Sequence, residues 1–81
     1  MNISKSTRQS MKAMARNNIK KGITSYSTSD DSRFPRVMRC YFWLLQAKLT
    51  PKEAYALEDM FCSNDLTNLT LAEEILKTKL P

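Results

Sequence analysis

One apolar stretch, residues 33–49, constrains the fold of this 81-residue chain more than any other. It holds the only tryptophan, and between Cys40 and Leu45 the Tyr41 hydroxyl is the only polar feature. Pro35 favours the first turn of a helix here, and that helix would be apolar on nearly all sides. Because such a helix needs cover on most of its surface, we expect it to be covered partly by the rest of the chain and partly by a second molecule.

Helix signals recur along the remaining sequence. Ser4 or Ser6 can cap a first helix, and Thr50, Pro51 and Glu53 combine a capping box with proline at the first helical position. No stretch alternates polar and apolar residues for long enough to predict a strand. The sequence therefore predicts an all-α fold, a small bundle of about four helices that is completed by oligomerisation. The predicted helices are residues 6–21, 33–48, 51–61 and 71–79.

The last two predicted helices carry more detailed expectations. Thr70 and Glu73 form a second capping box, which predicts that the last helix begins near residue 71. In the helix before it, Glu58 and Asp59 are expected to point to solvent, because the apolar residues lie at the spacing of the opposite, buried face. The residues expected to point inward are Ala54, Leu57, Met60, Phe61, Leu71, Ile75, Leu76 and Leu80.

Positive charge is concentrated at the N-terminal end. Residues 1–24 carry six basic residues and no acid, whereas residues 25–81 carry seven basic and eight acidic residues. Most of the N-terminal basic residues form a cationic stripe on the first helix, where like charges four residues apart oppose helix formation. The stripe therefore predicts an anionic surface to meet, which is nucleic acid, phospholipid or an acidic protein surface. The residues of the cationic stripe are Lys5, Arg8, Lys12, Arg16 and Lys20.

Composition divides the chain into three parts of a single domain. Residues 1–24 form the basic N-terminal helix, which we expect to be loosely attached, residues 25–32 a polar linker, and residues 33–81 the helical core.

No apolar targeting segment opens the sequence, and its longest apolar run is far shorter than the ~20 residues that span a bilayer. We expect a cytoplasmic protein without membrane contact, in which Cys40 and Cys62 are reduced and not bridged.

Most chemistry is excluded by the residue types present. The chain has no histidine, so the commonest general base and metal ligand is missing, and its single glycine cannot build a glycine-rich phosphate loop. Neither cysteine has a neighbouring base that would activate it as a nucleophile. We therefore expect no enzyme activity, no metal and no cofactor.

The aromatic residues of the central helix predict an interface. Tyr41, Phe42 and Trp43 are consecutive and span ~200° around a helix, which a small domain has difficulty covering. Tyrosine and tryptophan also anchor many protein interfaces. Together with Arg36 and Arg39, which share one side of the helix, they form the predicted partner-binding or oligomer interface. Core packing for the aromatic residues and a solvated face for the arginines are the alternatives.

The second half of the chain resembles part of a known type of domain. Leu49-Thr50-Pro51-Lys52-Glu53, an apolar helix and a polar turn precede Leu69-Thr70-Leu71-Ala72-Glu73-Glu74-Ile75. This run resembles the opening two helices of the helix-turn-helix domains of response regulators and sigma factors. In those families a recognition helix follows. Here the sequence ends at Pro81 without one, so we do not transfer the function.

Taken together, these features predict a small non-enzymatic regulatory protein that acts by binding another protein. In size and composition the chain is similar to antirepressors and enzyme inhibitors of the phage or plasmid type. The alternative is a nucleic-acid-binding module that uses the basic N-terminal helix. The predicted partners are another protein and a second copy of this chain, with nucleic acid as the alternative.

Overall fold

The computed structural model describes residues 2–81, which contain four α-helices. No strand occurs in this range, which confirms the predicted all-α fold of four helices. The Cα radius of gyration is 11.6 Å, close to the ~11.7 Å expected for a globular chain of this length. The helices are α1 (Lys5–Lys20), α2 (Arg33–Gln46), α3 (Pro51–Cys62) and α4 (Leu66–Lys79).

Local capping explains where the first and third helices begin. The Ser4 hydroxyl accepts a hydrogen bond from the backbone N–H of Thr7. At α3 the capping box is complete: the Glu53 N–H donates to the Thr50 hydroxyl at 3.2 Å, and the Thr50 N–H donates to the Glu53 carboxylate at 3.1 Å. The Thr50 N–H thereby lowers the pKa of Glu53 below its ordinary value. Gly22, at φ 91°, takes the left-handed conformation that ends α1.

The start of α4 differs from the prediction. The helix begins at Leu66 because the Asp65 carboxylate caps it, accepting from the Thr67 N–H at 2.8 Å. The predicted second capping box is not formed: the Thr70 hydroxyl donates to the Leu66 carbonyl, and Glu73 binds Arg36. One of the two capping signals behind the helix-turn-helix resemblance is therefore absent.

The buried face of α4 also differs from the prediction. Leu69, Ala72 and Leu76 face the core, three and four residues apart, whereas Leu71 is exposed, contrary to the prediction. The other residues expected to point inward are buried (Leu57, Phe61 and Leu76) or half-buried (Ala54, Met60, Ile75 and Leu80).

The core is built around α2, which packs against all three other helices. The rings of Tyr41 and Phe42 are buried inside the chain. The Tyr41 ring packs edge to face on the Phe61 ring of α3, with 4.9 Å between the ring centroids. Tyr26 of the linker packs beside Phe42, with 6.0 Å between the ring centroids. The chain thus covers most of its apolar central helix by itself. Tyr41 and Phe42, predicted to contact a partner or another copy, are core residues instead.

The N-terminal helix is an integral part of the bundle. α1 packs against α2, and Ala15 is buried within the bundle. Before the helix, the side chain of Ile3 is buried and its backbone N–H donates to the Cys62 carbonyl at 2.9 Å. The expectation of a loosely attached first helix was wrong, because the sequence pattern does not reveal these contacts with residues far along the chain.

Both cysteines are free and buried, which confirms the prediction that they are not bridged. Burial raises the pKa of each thiol above its ordinary value of 9.0. Burial likewise raises the pKa of the Tyr41 phenol. These groups therefore stay protonated in the folded protein at neutral pH.

We expect this burial to make the protein less stable in alkali. In the unfolded chain the Cys40 thiol releases its proton near pH 9, whereas the folded state retains it, so stability is full below that pH and falls above it. For Cys40 alone, the free energy of unfolding should fall by about 1 kcal/mol between about pH 9 and pH 10. Urea denaturation at several pH values measures this fall. Cys40→Ala should remove this part of the fall, and a profile already flat in the parent protein would contradict the prediction.

Candidate functional site

The predicted site residues separate into a buried group and two surface groups. Tyr41 and Phe42 lie in the core. Arg36, Arg39 and Trp43 line one surface cleft between α2 and α4. Four residues of the cationic stripe, all except Lys20, line a groove between α1 and α3.

A buried carboxylate lies beneath the groove. Glu58, expected to point to solvent, is only 7% exposed. Its Oε2 accepts a hydrogen bond from the Tyr41 hydroxyl at 2.6 Å, and its Oε1 lies 3.3 Å from the Lys12 ammonium nitrogen. The Tyr41 hydroxyl also lies 3.4 Å from the Cys62 sulfur. Glu58 thus joins α1, α2 and α3 through polar contacts that the helical pattern of α3 alone does not reveal.

Part of the anionic surface that the cationic stripe requires belongs to this chain. Arg8 Nη1 donates to Asp59 Oδ1 at 2.8 Å, next to the contact between Lys12 and Glu58. This hydrogen bond from Arg8 to Asp59 raises the pKa of the Arg8 guanidinium. Two of the five stripe residues are therefore neutralised by α3. The remaining three, Lys5, Arg16 and Lys20, are exposed and have no salt bridge within residues 2–81.

We call the depression between these helices the α1–α3 groove. It consists of two depressions of about 220 and 360 Å³ that share Lys12, Tyr55 and Glu58. Tyr55 is 68% exposed and is the most exposed large apolar side chain described. Apolar residues of α2 and α3 line the part of the groove near Arg16. These apolar residues are Leu44, Leu45, Pro51 and Ala54.

Charge in the α1–α3 groove is unbalanced. Four cations of the cationic stripe face two carboxylates, those of Glu58 and Asp59. The groove therefore combines an excess of positive charge with an exposed aromatic ring and apolar lining. Sequence reasoning did not single out Tyr55, although a helical wheel would have indicated it. At 100° per residue it lies ~160° around α3 from the buried Leu57.

Comparison of the chain with protein-family models, curated proteins and solved structures found no match. The function is therefore argued from the two surfaces themselves.

The second surface, which we call the Trp43 cleft, has a volume of about 570 Å³. Arg36, Arg39 and Trp43 lie at positions i, i+3 and i+7 of α2, which share one face of a helix. From α4, the Glu73 carboxylate accepts two hydrogen bonds from Arg36, one of them from Nε at 3.2 Å, and these raise the pKa of that guanidinium. The Lys77 ammonium lies 5.5 Å from the centre of the Trp43 ring. The cleft thus keeps three predicted residues together and adds Lys77, which the sequence did not indicate.

The carboxylates that line the two surfaces are paired with cations, and the thiols are buried. The carboxylates of Glu58, Asp59 and Glu73 are each held by a cationic side chain. The two thiols are buried and protonated. No group of three potential ligands among the described residues is arranged to hold a metal ion. Within the same range, no helix is both long and apolar enough to cross a membrane.

Proposed function

We propose that this chain is a small non-enzymatic regulatory protein, of the inhibitor or antirepressor kind, that acts by binding another protein. Its binding surface is the α1–α3 groove. The occupant is an amphipathic helix of the partner that carries aspartate or glutamate along one side. The observation that carries the proposal is the exposed Tyr55 between apolar lining and a row of cations.

Charge and apolar surface favour the same occupant. Acidic side chains of the partner would meet Lys5 and Arg16, the groove cations that have no salt bridge within residues 2–81. Its apolar side would cover Tyr55 and the nearby leucines. Helix-in-groove binding uses this combination, with residues at i, i+3, i+4 and i+7 as anchors. Tyrosine is among the residues whose truncation costs an interface most, commonly ~2 kcal/mol or more.

Nucleic acid is the alternative partner, bound along α1. The exposed cations Lys5, Arg16 and Lys20 favour it. The carboxylates of Glu58 and Asp59 oppose it, because they occupy Lys12 and Arg8 and would repel a phosphate backbone. With the three free cations of the cationic stripe, duplex binding would lose affinity with salt at a log–log slope of roughly −3. A protein partner held by apolar contacts depends less on salt once bound.

Fluorescence anisotropy can separate the two partners. The probes are a labelled synthetic helix with leucine on one face and glutamate beside it, the same helix with lysine replacing glutamate, and a labelled DNA duplex. We expect only the acidic helix to bind tightly. Tyr55→Ala should weaken its binding about 30-fold, the equivalent of ~2 kcal/mol.

The controls for that experiment come from the same chain. Arg16→Glu should weaken binding of the acidic helix, whereas Lys48→Glu, an exposed lysine that does not line the groove, should leave it unchanged. Phe34→Ala, at an exposed aromatic residue of α2 that does not line the groove, is the control for Tyr55→Ala. If the duplex bound tightly, with the salt dependence given above for nucleic acid, and the acidic helix did not bind, the nucleic-acid function would be favoured instead.

Homo-oligomerisation stays a prediction, but the surface that we expect to mediate it is a different one. With Tyr41 and Phe42 in the core, the apolar side chains left for a second copy include Leu66 and Leu71, which line a shallow depression of α4. We expect light scattering at micromolar concentration to detect self-association that Leu71→Glu abolishes. A monodisperse species of 9.4 kDa for the parent protein would contradict this.

A further inference from the structure

The Trp43 cleft lies on the face formed by α2 and α4. We infer that the Trp43 cleft binds a nucleoside monophosphate, with the base on the indole ring of Trp43 and the phosphate on Arg39 and Lys77. This site shares no lining residue with the α1–α3 groove, so the inference does not depend on the proposed function. Its volume of about 570 Å³ is within the ~300–1,000 Å³ of small-molecule sites.

The cations of the cleft are not equally available to an anion. Arg36 is occupied, because its guanidinium binds both oxygens of Glu73 and also donates to the Thr70 hydroxyl at 3.0 Å. Lys77 has no carboxylate partner within residues 2–81 and is exposed. Arg39 donates to the Thr28 carbonyl at 3.3 Å and lies 3.6 Å from the Asp31 carboxylate. Arg39 and Lys77 are therefore the groups that a phosphate would meet.

The acidic residues of the cleft allow this assignment. Glu73 is neutralised by Arg36. The Asp31 side chain is 89% exposed and lies in the linker before α2, so an incoming phosphate can replace it beside Arg39. Asp31 then opposes binding through repulsion and does not take part in it.

The aromatic ring explains why the ligand should carry a base. Lys77, an exposed residue, lies over the ring of the partly buried Trp43 in a cation–π contact. Stacking of a nucleobase on an aromatic side chain is generally the stronger of the two interactions. A base can therefore displace the ammonium group from the ring, and the freed ammonium group can bind the phosphate of the same ligand. A bare phosphate would gain only the second of these contacts.

Trp43 makes the test direct, because it is the only tryptophan in the chain. Titration with AMP should quench its fluorescence saturably at micromolar to millimolar concentrations. Adenosine and inorganic phosphate should each bind more weakly than AMP. Arg39→Gln and Lys77→Gln should each raise the dissociation constant about tenfold, as expected for the loss of one charge-assisted hydrogen bond. Lys48→Gln, an exposed lysine outside the cleft, is the control and should leave the constant unchanged.

Asp31→Asn gives an opposite and independent result. It should lower the dissociation constant for AMP roughly two- to fivefold by removing the exposed negative charge. Because the Asp31 side chain is exposed, the variant should fold as the parent protein does. Circular dichroism checks the fold of each variant. Quenching that does not saturate, that adenosine produces equally well, or that Lys77→Gln and Asp31→Asn leave unchanged would overturn the inference.

Discussion

Replacement of Glu58 by alanine is expected to lower the free energy of unfolding by about 3 kcal/mol. The substitution removes the acceptor of the buried Tyr41 hydroxyl and the anionic partner of Lys12. A buried donor without an acceptor costs ~1–3 kcal/mol by itself, and loss of a largely buried ion pair adds to that. For a domain of this size the melting temperature should fall by roughly 12–24 °C.

The adjacent residue supplies the control. Asp59 carries the same carboxylate and also pairs with α1, but its side chain is 76% exposed. Asp59→Ala should therefore change the free energy of unfolding by no more than ~0.5 kcal/mol. Urea denaturation measures the free energy of unfolding of both variants. Tyr41→Phe and the variant that carries both Glu58→Ala and Tyr41→Phe complete a double-mutant cycle for the Glu58–Tyr41 interaction. Equal effects of Glu58→Ala and Asp59→Ala would mean that Glu58 is not buried in solution.

Ala15→Leu is expected to destabilise the protein by ~1–3 kcal/mol, because it inserts a larger side chain into a packed interior. Ala15 has no exposed surface and lies in the helix that packs against α2. The extra atoms must therefore displace neighbouring core side chains or separate α1 from the bundle. Hydrogen exchange should then increase in α1 more than in α3 and α4.

Ala13 is the matched position on the same helix. It is exposed, so Ala13→Leu should change the free energy of unfolding by no more than ~0.5 kcal/mol. Both variants replace alanine by leucine within α1, so they change helix propensity equally. Denaturation of the two variants side by side separates packing from propensity. If Ala15→Leu were as harmless as Ala13→Leu, the first helix would be as loosely attached as the sequence alone suggested.

Sequence reasoning was most accurate for features that depend on a few neighbouring residues. The Thr50–Glu53 capping box and the Ser4 cap were predicted and are formed, since each joins groups within one helical turn. The sequence prediction failed at the start of α4, where the Asp65 cap competes with the Thr70–Glu73 capping box. Asp65 begins the helix, and Glu73 binds Arg36, which lies 37 positions earlier in the chain.

The candidate sites depend on contacts between distant positions, and there the sequence was less informative. It indicated that the cationic stripe needs an anionic surface, but Arg8 and Lys12 meet theirs 51 and 46 positions along the same chain. It grouped Tyr41, Phe42 and Trp43 as one interface, yet only Trp43 reaches the surface. Three consecutive helical residues point in different directions, so their exposure depends on which elements pack on each side.

By itself, the sequence determined that this chain is helical, that its apolar central helix needs cover, and that its basic N-terminal segment needs an anionic surface to meet. These requirements follow from helix capping between neighbouring residues and from the hydrophobicity and charge of single side chains, which do not depend on the fold. Only the tertiary structure decided what meets them: α1, α3, α4 and Tyr26 cover α2, and Glu58 and Asp59 face the stripe. The physical reason is that burial and pairing belong to residues brought together by folding, and distance along the chain does not record them.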